Sequence, residues 1–200
     1  MLFFVFFALL LILTNYVSVV FPQDKLWSRT IGTTGIGEGR SSVSVDQSSG
    51  AVFTTGTSRV RLHGETLAGS DDIIMIKHDK NGTRVFTRMV GTTGSDFGID
   101  ISVDSVAGAV YVTGFASGSL HGESYVGSRD IVLLKFSTNG TRFWTRMVGT
   151  SSGDEGRGAA VDVSAGAVYV CALISSSVHG ETYLASGALL LMKYSGNGKR

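Results

Sequence analysis

Along "GIDISVD", residues 98–104, apolar Ile99, Ile101 and Val103 alternate with polar Asp100, Ser102 and Asp104. A period of two predicts a strand with one buried face. After the turn "SVAG", the stretch "AVYVTGF" (109–115) sets Val110 and Val112 on one face and Tyr111 and Thr113 on the other, a second strand. "DIVLLKFS" (130–137) is apolar on both faces until Lys135, as in a strand covered on both sides. "TNGT" follows, and its Asn-Gly pair predicts a type I′ turn, which needs φ > 0 at both central residues. "RFWTRMVG" (142–149) is the fourth strand. No segment beyond the first 22 residues has a helical period.

This meander is written three times. "RLHGETLAG" (61–69), "SLHGESYVG" (119–127) and "SVHGETYLA" (177–185) are one phrase. His63, His121 and His179 stand 58 residues apart, and so do Lys77, Lys135 and Lys193, and Asp46, Asp104 and Asp162. Each unit opens on an aromatic residue, Trp27, Phe86 or Trp144, and Gly56 and Gly114 recur near the end of the second strand. The units span about 26–84, 85–142 and 143–200. Four-stranded antiparallel units at this period predict an all-β, β-propeller-type repeat with one blade per unit. A blade with two apolar faces needs a neighbour on each. About three blades fall short of the four to eight of typical propellers. The expectation is an incomplete propeller, an open arc completed by further repeats or by self-association.

The spacing aromatic-x-x-x-x-Gly, an acidic residue, "VD…G-x-V-Y-V-x-G" and "D-I-x-x-x-K-x-x-x-x-G" resembles the SBBP (beta-propeller) repeat family over residues 26–200. Unit two carries it as Gly91, Asp96, Asp104, Gly108, Tyr111, Gly114, Asp130, Lys135 and Gly140, and unit three as Trp144, Gly149, Asp154, Asp162, Gly166, Tyr169, Lys193 and Gly198. The third unit departs at Ala172 and Ala188, where unit two has Gly114 and Asp130. The resemblance implies an extracellular or cell-surface propeller, used as a module of large surface proteins, with no catalytic residue set to carry over.

Residues 1–22 differ in kind. "MLFFVFFALLLIL" is an unbroken apolar run, read as a hydrophobic helix that is either a cleaved signal peptide or an N-terminal membrane anchor. With cleavage, the mature chain is expected to start near residues 20–24, and any membrane contact is through this segment alone. A net charge of +1 with 16% charged residues leaves no basic stripe, so nucleic acid is not an expected partner. The single cysteine, Cys171, allows no internal disulfide and is expected as a small buried hydrophobe in a strand.

Three histidines, one per blade, lie too far apart to share a zinc ion at bonds of about 2 Å. His-Gly-Glu therefore reads as a repeated exposed loop whose glycine supplies a special backbone angle. Asp46, Asp104 and Asp162 begin D-x-x-x-G turns, where Asp bonds its own backbone two residues on. One carboxylate per turn falls short of a calcium cage. Lys77 and Lys135 have Asp72 and Asp130 as possible partners, but a solvated strand end is the preferred reading. Arg29, Arg88 and Arg146 are expected to stack on the neighbouring ring, and Trp144 to be largely buried between blades. "GTTGIGEG" lacks the Lys-Ser/Thr ending of a phosphate loop and reads as an interblade connection. Asn81 and Asn139 lie in "NGT" sequons, whereas Asn197 is followed by "GK". No catalytic residue, metal or cofactor is expected. The expected function is a secreted or cell-surface module that binds an unknown protein or carbohydrate, or serves as a scaffold, without catalysis. The alternatives are a hydrolase or lyase with its site in a central channel, and a fragment of a larger surface protein. The asymmetries between units run toward Ala and Leu, which favours binding.

Overall fold

A computed structural model of the 200-residue chain describes residues 26–31, 40–178, 180–183 and 187–200. The leader helix predicted over 1–22 lies outside the described residues, as does His179. Among the described residues the fold is all-β, with no helix long and apolar enough to cross a membrane.

Among the described residues, eleven strands form three antiparallel sheets. Sheet I contains β1 (Ser42–Val45), β2 (Val52–Ser58), β3 (Asp72–His78) and β4 (Arg84–Val90). Sheet II contains β5 (Phe97–Asp104), β6 (Ala109–Ala116), β7 (Asp130–Ser137) and β8 (Arg142–Val148). Sheet III contains β9 (Glu155–Asp162), β10 (Ala167–Ile174) and β11 (Ala188–Ser195). In each sheet the strands pair in chain order, as a meander does. The aromatic strand that opens a sequence unit thus closes the preceding sheet, so the sheets are offset from the 58-residue units by one strand.

Apolar residues on both faces of β6 and β7 explain how the sheets pack. Val110, Val112, Val132, Leu134 and Phe136 point to sheet I, against Phe53, Ile73 and Met75. Tyr111, Ile131 and Leu133 point to sheet III, against Val168, Val170, Leu190, Met192 and Tyr194. Both sets are buried, so sheet II is sandwiched. The first strands converge on one side, where β5 touches both β1 and β9. There the Ser42 hydroxyl donates to Asp100 Oδ1 (2.5 Å) and the Ala159 amide to Asp100 Oδ2 (2.7 Å).

The turn expectation is corrected. Asn81 and Asn139 do not have positive φ; only the following Gly82 (φ 78°) and Gly140 (φ 86°) do. Gly82 N bonds Asp79 O and Asp79 N bonds Thr83 O, both at 2.9 Å. This is a type I turn followed by a left-handed glycine, and the strand registers slip beside it at Lys77/His78 and Lys135/Phe136. The type I′ geometry lies instead in His-Gly-Glu. His63 (φ 54°) and Gly64 (φ 89°) are both left-handed, and Glu65 N closes the turn on Leu62 O at 2.9 Å. His121 and Gly122 repeat it, at φ 55° and 83°.

Candidate functional site

The recurring polar residues assemble into a clasp between successive sheets. The left-handed turn at His63 swings the loop after β2 across to β4. His63 Nδ1 shares a hydrogen bond with Thr87 Oγ1 (2.7 Å), and Glu65 accepts from Arg88 Nη1 (3.3 Å) and the Met89 amide (3.4 Å). His121 bonds Thr145 (2.7 Å), and Glu123 accepts from Arg146 (3.2 Å) and the Met147 amide (3.3 Å). Burial and the nearby charge of Arg84 push the His63 pKa down, and burial and Arg142 do the same for His121. Both imidazoles are therefore neutral at pH 7. The loop is exposed at its histidines, yet it fixes the fourth strand rather than presenting a ligand set.

From that strand the clasp reaches the next sheet. Arg88, over the Phe86 ring at 4.9 Å, donates to Gly140 O (3.0 Å), and Arg146, over Trp144 at 5.5 Å, donates to Gly198 O (2.8 Å). The stacking expected of these arginines is present. The lysines differ from expectation. Lys77 donates to Thr138 O (2.8 Å) and Lys135 to Gly196 O (2.7 Å), both on the turn of the following sheet. Neither is a solvated strand end, and neither pairs with Asp72 or Asp130. Asp72 instead holds the loop before β3 through the amides of Ala68 (2.9 Å) and Gly69 (3.2 Å). Lys193 lies over the Tyr169 ring at 5.1 Å.

Trp144 is partly buried and packs against the core between sheets II and III. It sits on the outer strand, where its ring meets Gly198 and Tyr111 (5.9 Å between ring centres) and its Nε1 donates to Gly196 O (3.1 Å). Cys171 is also half-buried, on the face of sheet III turned away from sheet II. Asp46 and Asp104 bond the amides of Ser48 (3.1 Å) and Val106 (3.0 Å), two residues on, and Asp162 bonds that of Ala165 (3.0 Å). Burial raises the Asp46 pKa, but hydrogen bonds from Ser49 and Ser48 outweigh it and hold the carboxyl at about 2. A Cβ at Gly56 would meet only ordinary contacts, the nearest Arg40 O at 3.5 Å, whereas a Cβ at Gly114 would fall on the Phe97 carbonyl. Asn81 and Asn139 are exposed at the turn tips. Among the described residues no group of three or more His, Cys, Asp or Glu side chains is placed to hold a metal ion.

Sequence reasoning missed one constellation. Where unit two has Phe97 and Ile99, unit three has Glu155 and Arg157. Glu155 is buried and takes ion pairs from Arg157 (2.5 Å), Arg129 (2.6 Å) and, across from sheet I, Arg40 (3.1 Å). Three half-exposed guanidiniums around one carboxylate leave a positive surplus at the start of β9. This asymmetry runs toward charge, not toward Ala and Leu. The signal was a charged pair in a strand whose counterpart is apolar.

Asp130 carries a strongly displaced carboxyl. It is 1% exposed, accepts from the Val126 amide at 2.8 Å, and has no partner at Oδ1. With Val148, Gly149 and Val178 it lines a cleft of ≈ 330 Å³ between sheets II and III. Burial, with the nearby charge of Asp154, pushes its pKa up to about 6 despite the amide bond. A raised carboxyl pKa means that the folded chain holds the proton more tightly than the unfolded one. Its contribution therefore falls as pH rises from about 4 to about 6 and is level above that. At ~1.4 kcal/mol per unit, Asp130→Asn is expected to be more stable than the wild type at pH 7 by about 1–3 kcal/mol, and to lose that advantage at pH 4. Urea melts at the two pH values check this; an equal difference at both contradicts it.

In comparison with known proteins, no family model matches the chain, and neither does any curated protein. What the geometry defines is a repeated antiparallel β-sheet architecture, compatible with propeller-like repeats, whose recurrent polar residues join sheet to sheet.

Proposed function

We propose that the chain is an exported β-propeller repeat protein, displayed at the cell surface or secreted, that acts without catalysis as a binding or scaffold module. The observation that supports it is the clasp. His63, Glu65, Arg88 and Lys77 in sheet I, and His121, Glu123, Arg146 and Lys135 in sheet II, spend their hydrogen bonds on threonine hydroxyls and amides of the fourth strand, on turn carbonyls and on each other. Residues engaged this way build a rigid frame, and recognition then falls to what departs from the repeat. The arginines around Glu155 are such a departure, suited by charge to an acidic protein or carbohydrate. The apolar leader supports export, and the exposed asparagines of both sequons support glycosylation of the exported chain.

The tagged full chain, expressed in a eukaryotic host, is expected in the medium or on the cell surface. An N-glycan amidase should raise its gel mobility, and Asn81→Gln with Asn139→Gln should abolish that shift. A chain confined to the cytosol and unchanged by the amidase would overturn the reading.

A further inference from the structure

Sheets I and II are each closed by a fourth strand, β4 and β8, but among the described residues β11 pairs with β10 alone. At the opposite end of the array, residues 26–31 stand where the fourth strand of a preceding sheet would stand. Trp27 Nε1 donates to Lys80 O (3.2 Å) and Arg29 Nε to Gly82 O (2.8 Å). These repeat the bonds of Trp144 to Gly196 and of Arg146 to Gly198. Ile31 packs on Leu62, Ile74 and Ile76 of sheet I as Val148 packs on sheet III. Residues 26–31 nevertheless pair with no strand among the described residues. Among the described residues, β11 thus has an open edge and Leu26–Ile31 is an edge-type segment outside any sheet.

We propose that Leu26–Ile31 of one copy completes sheet III of a second copy, and that the reciprocal exchange closes two chains into a ring of six sheets. Main-chain pairing at an open edge is a general mode of recognition. Transferring the β3–β4 and β7–β8 registers places Trp27 opposite Lys193, Arg29 opposite Leu191 and Ile31 opposite Leu189. The charges match as well. Glu65 pairs with Arg88 and Glu123 with Arg146, each joining the His-Gly-Glu loop to the fourth strand of its own sheet. In sheet III that place belongs to Glu181, which is exposed, and Arg29 of the second copy is its counterpart.

The apolar faces agree with this pairing. Leu189 and Leu191 are 70% and 68% exposed on the outward face of sheet III, beside half-buried Cys171. On the outward face of sheet I, Val43 is 61% exposed, and a cleft of ≈ 380 Å³ is lined by Ile31, Val43, Ile74 and Ile76. These are the two kinds of face that meet between sheets I and II and between II and III. Both halves of the strand pairing, of the ion pair and of the apolar contact lie in one chain, so the partner is a second copy. Six sheets fall within the usual range of closed propellers, and three do not. Such a head-to-tail contact gives a finite ring when its rotation closes. The inference stands on sheet geometry and not on the proposed function.

Sedimentation velocity of the purified full chain is expected to show one species of two chains. Leu191→Lys alters a side chain already exposed in the single chain, and should weaken association at least about tenfold with circular dichroism unchanged. In a Cys171→Ser background, Arg29→Cys with Leu191→Cys should form an interchain disulfide on mild oxidation, and neither alone should. A chain that stays monomeric to about 100 μM, an open ladder of larger species, a Leu191→Lys variant that associates like the wild type, or a disulfide closing within one chain would overturn the proposal.

Discussion

Gly156→Val is expected to destabilise the chain by more than about 3 kcal/mol, the larger end of overpacking costs, and to loosen sheet III from sheet II. Gly156 lies on β9 where that strand crosses β6. A Cβ there would stand 2.8 Å from Gly114 O and 3.1 Å from Gly114 N, and closer still to Thr113 Oγ1. The threonine hydroxyl is already committed to Val132 O at 2.9 Å, and the other two atoms are backbone of a sandwiched sheet. None can retreat without breaking sheet II. Gly98 repeats the contact one sheet earlier, with Thr55 Oγ1 at 2.5 Å and Gly56 O at 2.7 Å from a notional Cβ. Gly158→Ala is the control, because its Cβ would meet only ordinary contacts at 3.8 Å, and it should change stability by less than about 1 kcal/mol. Urea unfolding of the three proteins decides; a Gly156→Val cost as small as that of Gly158→Ala would show that the sheets do not approach through this glycine.

Asp96→Ala is expected to cost about 3–5 kcal/mol. This carboxylate is fully buried and ties the connection between sheets to the loop after β6. It accepts from the Thr92 amide (2.5 Å), the Thr92 hydroxyl (3.0 Å) and the Ser117 amide (2.9 Å). Asp154 holds Thr150 and Ser175 in the same way, at 2.6 and 2.8 Å. Truncation leaves two amides without acceptors, at about 1–3 kcal/mol each, and a cavity in addition. Asp96→Asn keeps one of the two acceptor oxygens but turns its NH2 toward the other amide, so it should cost less than the alanine variant while still destabilising the chain. Burial pushes the Asp96 pKa up in spite of the hydrogen bonds. Its ionised form therefore carries a penalty, and stability falls as pH rises from the ordinary carboxylate value through the raised one. The Asn variant should lose that part of the pH dependence. Equal costs for Ala and Asn at pH 7 would mean that the carboxylate is not the acceptor described.

Strand positions were readable because alternation such as Ile101 and Val103 is a local consequence of the pleat, which a bulge interrupts at Ile99. The two-faced burial of β7 was readable because Ile131 to Leu134 is apolar without a break. The 58-residue step announced that one supersecondary unit recurs. The step by itself does not show where a sheet begins, but the meander from "GIDISVD" to "RFWTRMVG" placed the aromatic strand fourth, as the sheet order has it.

The sequence by itself determined an all-β chain of repeated antiparallel meanders, with its strands, its D-x-x-x-G turns and the arginine-on-aromatic stacking. Each follows from neighbours a few residues apart. Tertiary structure alone decided which turn is left-handed at two residues, since Asn-Gly and His-Gly satisfy similar local rules. It also decided the partners of Lys77 and Lys135, which lie 61 residues away, and it brought Arg40 to Glu155 across 115 residues. Pairings of that span depend on how sheets stack, and stacking is set by the summed burial of many apolar side chains, which no single stretch of sequence records.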